Sequence, residues 1–204
     1  SSDQEIITKG EATINHLIEL ASSDDGWKFV KEKSDVLIHM RHSEDSPIVM
    51  CRGIANFDVS AEAVLKCTEG LGERKVWDEL FVEGIVLKEV DATHQVIQFK
   101  FKSPSMMVSN RDFVMARAVR RNEDGSILSN HVSIDFPGHA ETKGYVRGVV
   151  AASGYHIVPT GANSCKCVYV VQIDPKGWVP TVVVNLVATK QPLVLAAMKK
   201  FLSK

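Results

Sequence analysis

The stretch Asp112-Phe113-Val114-Met115-Ala116-Arg117-Ala118-Val119 decides how this chain folds. Alternate residues of a strand share a face. Phe113, Met115, Arg117 and Val119 therefore make one face, and Val114, Ala116 and Ala118 the other. Both faces are apolar except at Arg117, so the strand reads as covered on both sides. A guanidinium in that position loses hydration worth many kcal/mol unless something pairs with it. Two readings stay open from the strand alone: an ion pair internal to the core, or a polar anchor in an otherwise greasy cavity.

Outward from this strand, the C-terminal two-thirds is a succession of strands. Apolar and β-branched runs occupy 82–90, 94–102, 112–121, 126–136, 144–158 and 164–174. Turn-like stretches such as Asp91-Ala92-Thr93 and Asn122-Glu123-Asp124-Gly125 join most of them, which predicts antiparallel neighbours in one long curved sheet. Two further strands are expected at 35–42 and 48–57. Helical periodicity predicts a helix over 4–21, a short one over 27–32, one over 60–69 with Ser60 as cap, and one over 73–80. A last helix is expected over 179–203, kinked by the interior Pro192. No repeat, low-complexity tract or long linker divides the chain, so residues 1–204 are read as one α+β domain.

The 204 residues are 45% hydrophobic and 24% charged, with a formal net charge of −1. That balance carries no signature of a nucleic-acid binder, and Arg120 and Arg121 are read as a solvated strand end. The four cysteines, Cys51, Cys67, Cys165 and Cys167, form no C-x-x-C pair and have no histidine cluster beside them. They read as reduced thiols of a cytoplasmic protein rather than as zinc ligands, and no metal or cofactor is expected. No run of eighteen apolar residues and no signal peptide is present, so no membrane span is expected.

Nucleotide-binding glycine motifs, a G-x-S-x-G elbow and H-E-x-x-H are all missing. Ser129, His131, Ser133 and Asp135 alternate along one strand. Their side chains stand parallel instead of converging, as a catalytic triad would require. The chain is therefore not read as an enzyme, although fold alone does not exclude a cyclase-like or hydrolytic use of the same scaffold.

Four segments, in order, resemble the START domain family of lipid-transfer modules. Arg74-Lys75-Val76-Trp77-Asp78 is similar to the family's short helix ending in Trp-Asp or Trp-Asn. Ser109-Asn110-Arg111-Asp112-Phe113-Val114 resembles its Arg-Asp-Phe strand entry, and Lys143-Gly144-Tyr145-Val146-Arg147-Gly148 its Gly-x-Val-Arg segment. Ile173-Asp174-Pro175-Lys176-Gly177-Trp178-Val179-Pro180 resembles the entry into the last helix. Together these cover nearly the whole chain. The last two are closest to the sterol-carrying branch.

The resemblance implies a helix-grip fold, a curved antiparallel sheet around a long C-terminal helix enclosing a hydrophobic tunnel for one lipid. It implies a monomeric lipid carrier, cytoplasmic and peripheral to membranes, whose last helix and adjoining loops act as a lid at the membrane surface. The lipid would be a sterol or similar molecule. In sterol-binding members, the arginine at the position of Arg117 pairs in the tunnel with a carboxylate on the preceding strand. Here that acid is missing: counting back from Arg111 reaches Gln98, or Phe99 with one inserted residue, and the alternation Ile97, Phe99, Phe101 favours Phe99 inward. Three replacements are open. Asp135 or Glu141 reaches the guanidinium; or water and neutral groups such as Gln98, Ser129, His131 and Ser133 solvate it; or the ligand brings an anion.

Phe113, Met115 and Phe99 would line the tunnel. In the phosphatidylcholine-transferring branch, the position of Arg74 binds phosphate, which gives the alternative of phospholipid transfer; an exposed helix-surface arginine is the other reading of Arg74. The aromatic cage of that branch is poorly kept: Phe99 and Phe113 stay aromatic, but Met115 and Ala151 replace tyrosines and Ser153 a glutamine. A quaternary ammonium needs several aromatic faces. Whether the chain is the lipid-sensing module of a larger protein stays open.

Overall fold

The computed structural model describes residues 1–204, the side chain of Ala152 excepted. The short turns between apolar runs build one ten-stranded sheet. Its strands are β1 (Lys28–Lys33), β2 (Val36–Ser43), β3 (Ser46–Phe57), β4 (Phe81–Glu89), β5 (His94–Phe101), β6 (Asn110–Arg121), β7 (Ile127–Ser133), β8 (Tyr145–Arg147), β9 (Val149–Gly161) and β10 (Ser164–Asp174). The order across the sheet is β1-β2-β3-β10-β9-β7-β6-β5-β4, with β8 set against β6 in parallel.

The two-faced pattern of β6 is matched by two layers. Helix α1 (Asp3–Ser22), opened by a capping box between Ser2 and Glu5, covers the face carrying Val114, Ala116 and Ala118 with Ile6, Ile14 and Leu17. Arg52, almost fully buried, ties down the far end of α1: it donates to the carbonyls of Leu20 and Ser23 and stacks on Trp27. The opposite face curves around α2 (Ala61–Glu69), α3 (Leu71–Trp77) and the C-terminal helical segment.

Three expectations from the sequence are corrected. Where a helix is expected over 27–32, Lys28–Lys33 forms an edge strand. Ser34 and Asp35 both adopt positive φ, 52° and 60°, the geometry of a two-residue hairpin turn, and β-pairing with β2 overrides the local helical reading. The run 144–158 is two strands, not one. Gly148 lies between them, directly over the Phe113 ring, where an added Cβ would come within 2.4 Å of Cε1. The C-terminal helix is broken rather than kinked. Helix α4 (Thr181–Ala188) and helix α5 (Val194–Leu202) flank a 3-10 turn at Gln191–Leu193.

Pro192 in that turn sits on Gly53 of β3, where a Cβ would meet its ring at 2.7 Å. By length and composition alone Thr181–Leu202 is long and apolar enough to cross a membrane, although Asn185, Thr189, Lys190 and Gln191 interrupt its apolar run. Here Leu195 and Met198 are fully buried against the sheet.

Candidate functional site

Between the concave sheet face and the C-terminal segment lies a cavity of about 480 Å³. Its strand wall is made by inward residues of successive strands: Phe99 and Phe101, Phe113 and Met115, His131, then Ser153 and Tyr155. Val187, Lys190, Leu193 and Val194 of the C-terminal segment, with Leu80, Pro104, Arg111 and Pro175, complete its lining. Phe81, Phe99, Phe101 and Phe113 pack edge to face, giving the wall a rigid aromatic patch.

Arg117 is buried on the same strand face as Phe113 and Met115, and is not itself among the residues that line the cavity. Strand register makes a continuous row around it. Glu89 on β4 faces Gln95 on β5, which faces Arg117 on β6, which faces His131 on β7, which faces Ser153 on β9. Arg117 donates from Nε at 3.0 Å, and from Nη2, to the Gln95 Oε1. Gln95 in turn donates from Nε2 to both Glu89 carboxylate oxygens, at 2.7 and 2.8 Å. Arg117 Nη1, His131 Nε2 and Ser153 Oγ are buried without a hydrogen-bond partner.

Burial depresses the Arg117 pKa, and the Glu69 and Glu89 carboxylates offset this only from a distance. A guanidinium nevertheless stays charged. Burial, with the charges of Arg117 and Arg74, holds the His131 pKa well below the ordinary imidazole value, so this ring is neutral.

Several residues stand elsewhere than the sequence suggests. Gln98 faces away from the cavity: it donates to Asp112 at 3.1 Å and to Thr142, because even-numbered β5 residues point to the opposite side from Phe99. Ser133 accepts from the Val150 backbone N–H at 2.8 Å and does not meet Arg117. Ser129 lies on the inner face, unpaired, outside the cavity lining. Asp135 and Glu141 do not pair with Arg117; Glu141 accepts from the Arg147 backbone N–H. Arg120 and Arg121, read as a solvated strand end, pair with Glu11 and Glu62.

Arg74 is not an exposed helix-surface residue. It is buried, lines the cavity, donates from Nε to Asp78 at 3.0 Å, and lies 5.1–5.5 Å from the ring centroids of Trp77, Phe81, Phe99 and Phe101.

Sequence reasoning missed Gln95, Glu89 and the stacked pair Tyr155 and Tyr169, whose rings lie 4.5 Å apart. One signal for Gln95 was present: the inward alternation Phe101, Phe99, Ile97 continues by one step to it. Among the described residues, no group of three or more His, Cys, Asp or Glu side chains is placed to hold a metal ion.

The model of the START domain matches residues 8–204. Mouse START domain-containing protein 10 is 30% identical over 178 residues, covering 86% of this chain; the chain spans only 60% of that relative's length. Mouse StAR-related lipid transfer protein 5 is 28% identical over 203 residues, covering 95% of each. The solved structure of human StAR-related lipid transfer protein 5 superposes with a TM-score of 0.92 at 25% identity, over 99% of this chain and 98% of that one. The four motifs, the sheet wrapped against a C-terminal helical segment, and the family match over nearly the full length agree: this chain belongs to the START domain family.

Proposed function

We propose that residues 1–204 act as one lipid-binding domain that takes a single lipid into the cavity and transfers it between membranes, without catalysing a reaction. The observation that carries this is the cavity itself: an aromatic and aliphatic chamber with a few unpaired polar groups gathered on one sheet row. Such a chamber suits an amphipath whose hydrocarbon part is buried and whose head is read by a few polar contacts. The relatives named as lipid transfer proteins point the same way. The ligand is read as a sterol or similar lipid, with Arg117, His131 and Ser153 at its polar end and Phe99, Phe113 and Met115 along its body. Buried Arg74 supports a second reading, in which a phosphate-bearing head group reaches Arg74 instead. Four buried free thiols suit a reducing, cytoplasmic setting for a monomer that meets membranes transiently.

The test is direct. Incubation with mixed-lipid vesicles followed by native mass spectrometry is expected to show one bound lipid per chain, and a donor–acceptor vesicle assay to show its transfer. A chain that extracts no lipid overturns the reading.

In this reading the segments that follow the lining residues Pro104 and Pro175 supply the membrane contact. Met106 and Met107 on the β5–β6 loop and Trp178 ahead of α4 are 106, 96 and 91% exposed, and Val182 and Leu186 on α4 continue the patch. Exposed large apolar side chains around a cavity entrance fit a lipid surface. Replacing Met106 and Met107 by Ser and Trp178 by Ala is expected to slow intervesicle transfer by at least about tenfold, since each such side chain is worth roughly 1.5–3 kcal/mol when buried. Equilibrium binding of monomeric lipid should stay unchanged. Transfer at the wild-type rate would remove these residues from the contact.

A further inference from the structure

We propose that the lipid this cavity selects carries an ionised acid group, and that Gln95, oriented by Glu89, is the residue that sets this preference. The inference rests on the lipid-carrier reading above and names the chemistry of its ligand.

Charge is unevenly distributed along the polar row. Glu89 accepts both bonds offered by the Gln95 Nε2, which leaves only the Gln95 Oε1 to face Arg117. The amide thus satisfies Nε and Nη2 of the guanidinium as an acceptor without contributing charge. The acid that could neutralise Arg117 stands one strand further out, at the edge strand β4, behind the amide. Among the described residues no carboxylate forms an ion pair with Arg117. Glu69, at the end of α2, acts on it only at longer range and is shared with Arg121. Of the two arginines that line the cavity, Arg74 has Asp78 as its counter-ion, and the partly exposed Arg111 donates to the backbone carbonyls of Ser109, Pro175 and Lys176. Among the described buried arginines, Arg52 and Arg74 each have an aspartate partner and Arg117 alone has no carboxylate ion pair.

The groups beside that charge are built to receive an oxyanion. Arg117 Nη1 is an unused donor, and the unpaired Ser153 Oγ and His131 Nε2 belong to the same row, on the next two strands. A carboxylate or sulfate would accept from Nη1 and from the Ser153 hydroxyl, while the neutral His131 offers either a donor or an acceptor. A plain hydroxyl head could fill the hydrogen bonds but would leave the buried charge unbalanced, and an unbalanced buried charge is the costly element of such a site. A buried charge-assisted pair is favoured over its neutral counterpart.

The experiment compares matched lipids on the full chain: cholesterol against cholesterol sulfate, and oleyl alcohol against oleic acid. The wild type is expected to bind the acid of a pair about tenfold to a hundredfold more tightly than the alcohol. The double variant Glu89→Gln with Gln95→Glu exchanges acid and amide at constant net charge and places a carboxylate on Arg117. It is expected to lower the acid-over-alcohol ratio at least about tenfold while keeping alcohol binding.

Equal binding of acid and alcohol by the wild type, or an unchanged ratio in a folded double variant, overturns the inference. Should the double variant fail to fold, the wild-type ratio decides alone. Stabilisation by inorganic sulfate equal to that by the sulfated sterol would overturn a lipid-borne anion. Binding of none of the four lipids overturns the carrier reading as well, whereas tight binding of the alcohols alone overturns only the charge assignment.

Discussion

The substitution Arg117→Met is expected to remove high-affinity lipid binding and, at the same time, to raise the melting temperature of the ligand-free protein. Two terms of opposite sign meet at this residue. For the ligand, losing a desolvated charged partner costs about 2–5 kcal/mol, a fall in affinity of roughly thirtyfold or more. For the empty protein, the guanidinium is a buried charge held only by a neutral amide, with Nη1 unpaired. A methionine of similar length fills the space without that penalty. Exchanging buried ionic groups for apolar ones is neutral or stabilising by about 1–4 kcal/mol. At the lower end this raises the melting point by roughly 2–4 °C for a chain of this size. Gln95 is only half-buried and keeps Glu89 as its partner, so its freed carbonyl can turn to water. Thermal melts of empty protein and lipid titrations of the same samples check both halves. A variant that melts lower than wild type would show that Arg117 is held for the fold rather than for the ligand.

Removing the Asp112 carboxylate is expected to damage the fold more than any other single change considered. Asp112 is fully buried and accepts from Gln98 Nε2, from the Thr142 backbone and hydroxyl, and from Nε and Nη2 of Arg147. It joins β5, β6 and the segment entering β8 on the side away from the cavity. Asp112→Ala should cost about 3–5 kcal/mol, because it leaves these donors without an acceptor.

Burial works to raise the Asp112 pKa, but the Arg147 guanidinium and the Thr142 donors outweigh it and hold the carboxyl below its ordinary value. The stability this gives is fully present above the unfolded-state carboxylate pKa of about 3.9. It is lost as pH falls through the lower folded-state value, because the unfolded chain binds the proton first. Chemical denaturation from pH 7 to pH 2 is therefore expected to show a steeper acid loss for wild type than for Asp112→Asn. Parallel pH profiles would assign the acid sensitivity elsewhere.

The strand pattern and the family motifs carried most of the fold, because alternation and turn chemistry are local properties. What was not legible depends on register and on contacts between distant segments. The pairing of β5 with β6 passes through the loop at 102–109, and its length hides which β5 residue faces Arg117. Counting residues reached Gln98 or Phe99, whereas the register selects Gln95. Glu89 is a further step removed, since its role exists only through Gln95. Arg74 was ambiguous for a similar reason: a short helix offers little periodicity, and only the tertiary fold places four aromatic rings around that guanidinium. The helix expected at 27–32 failed because an edge strand draws its conformation from its neighbour.

Under the proposed lipid-carrier function, the break at Pro192 would separate how tightly a ligand is held from how quickly it leaves. Helix α5 is fixed by the fully buried Leu195 and Met198. Helix α4 has a single buried residue, Ala188, and is latched chiefly through Asn185, which accepts from the Val49 N–H at 3.0 Å and donates to the Pro47 carbonyl. Lifting α4 alone therefore sacrifices little packing, while lifting α5 would dismantle the core. Local openings of this kind cost far less than global unfolding. In the proposed carrier, occupancy at equilibrium would be governed by the polar row deep in the sheet, and residence time by the eight residues of α4. Evolution or engineering could tune the pace of delivery there without altering which molecule is chosen.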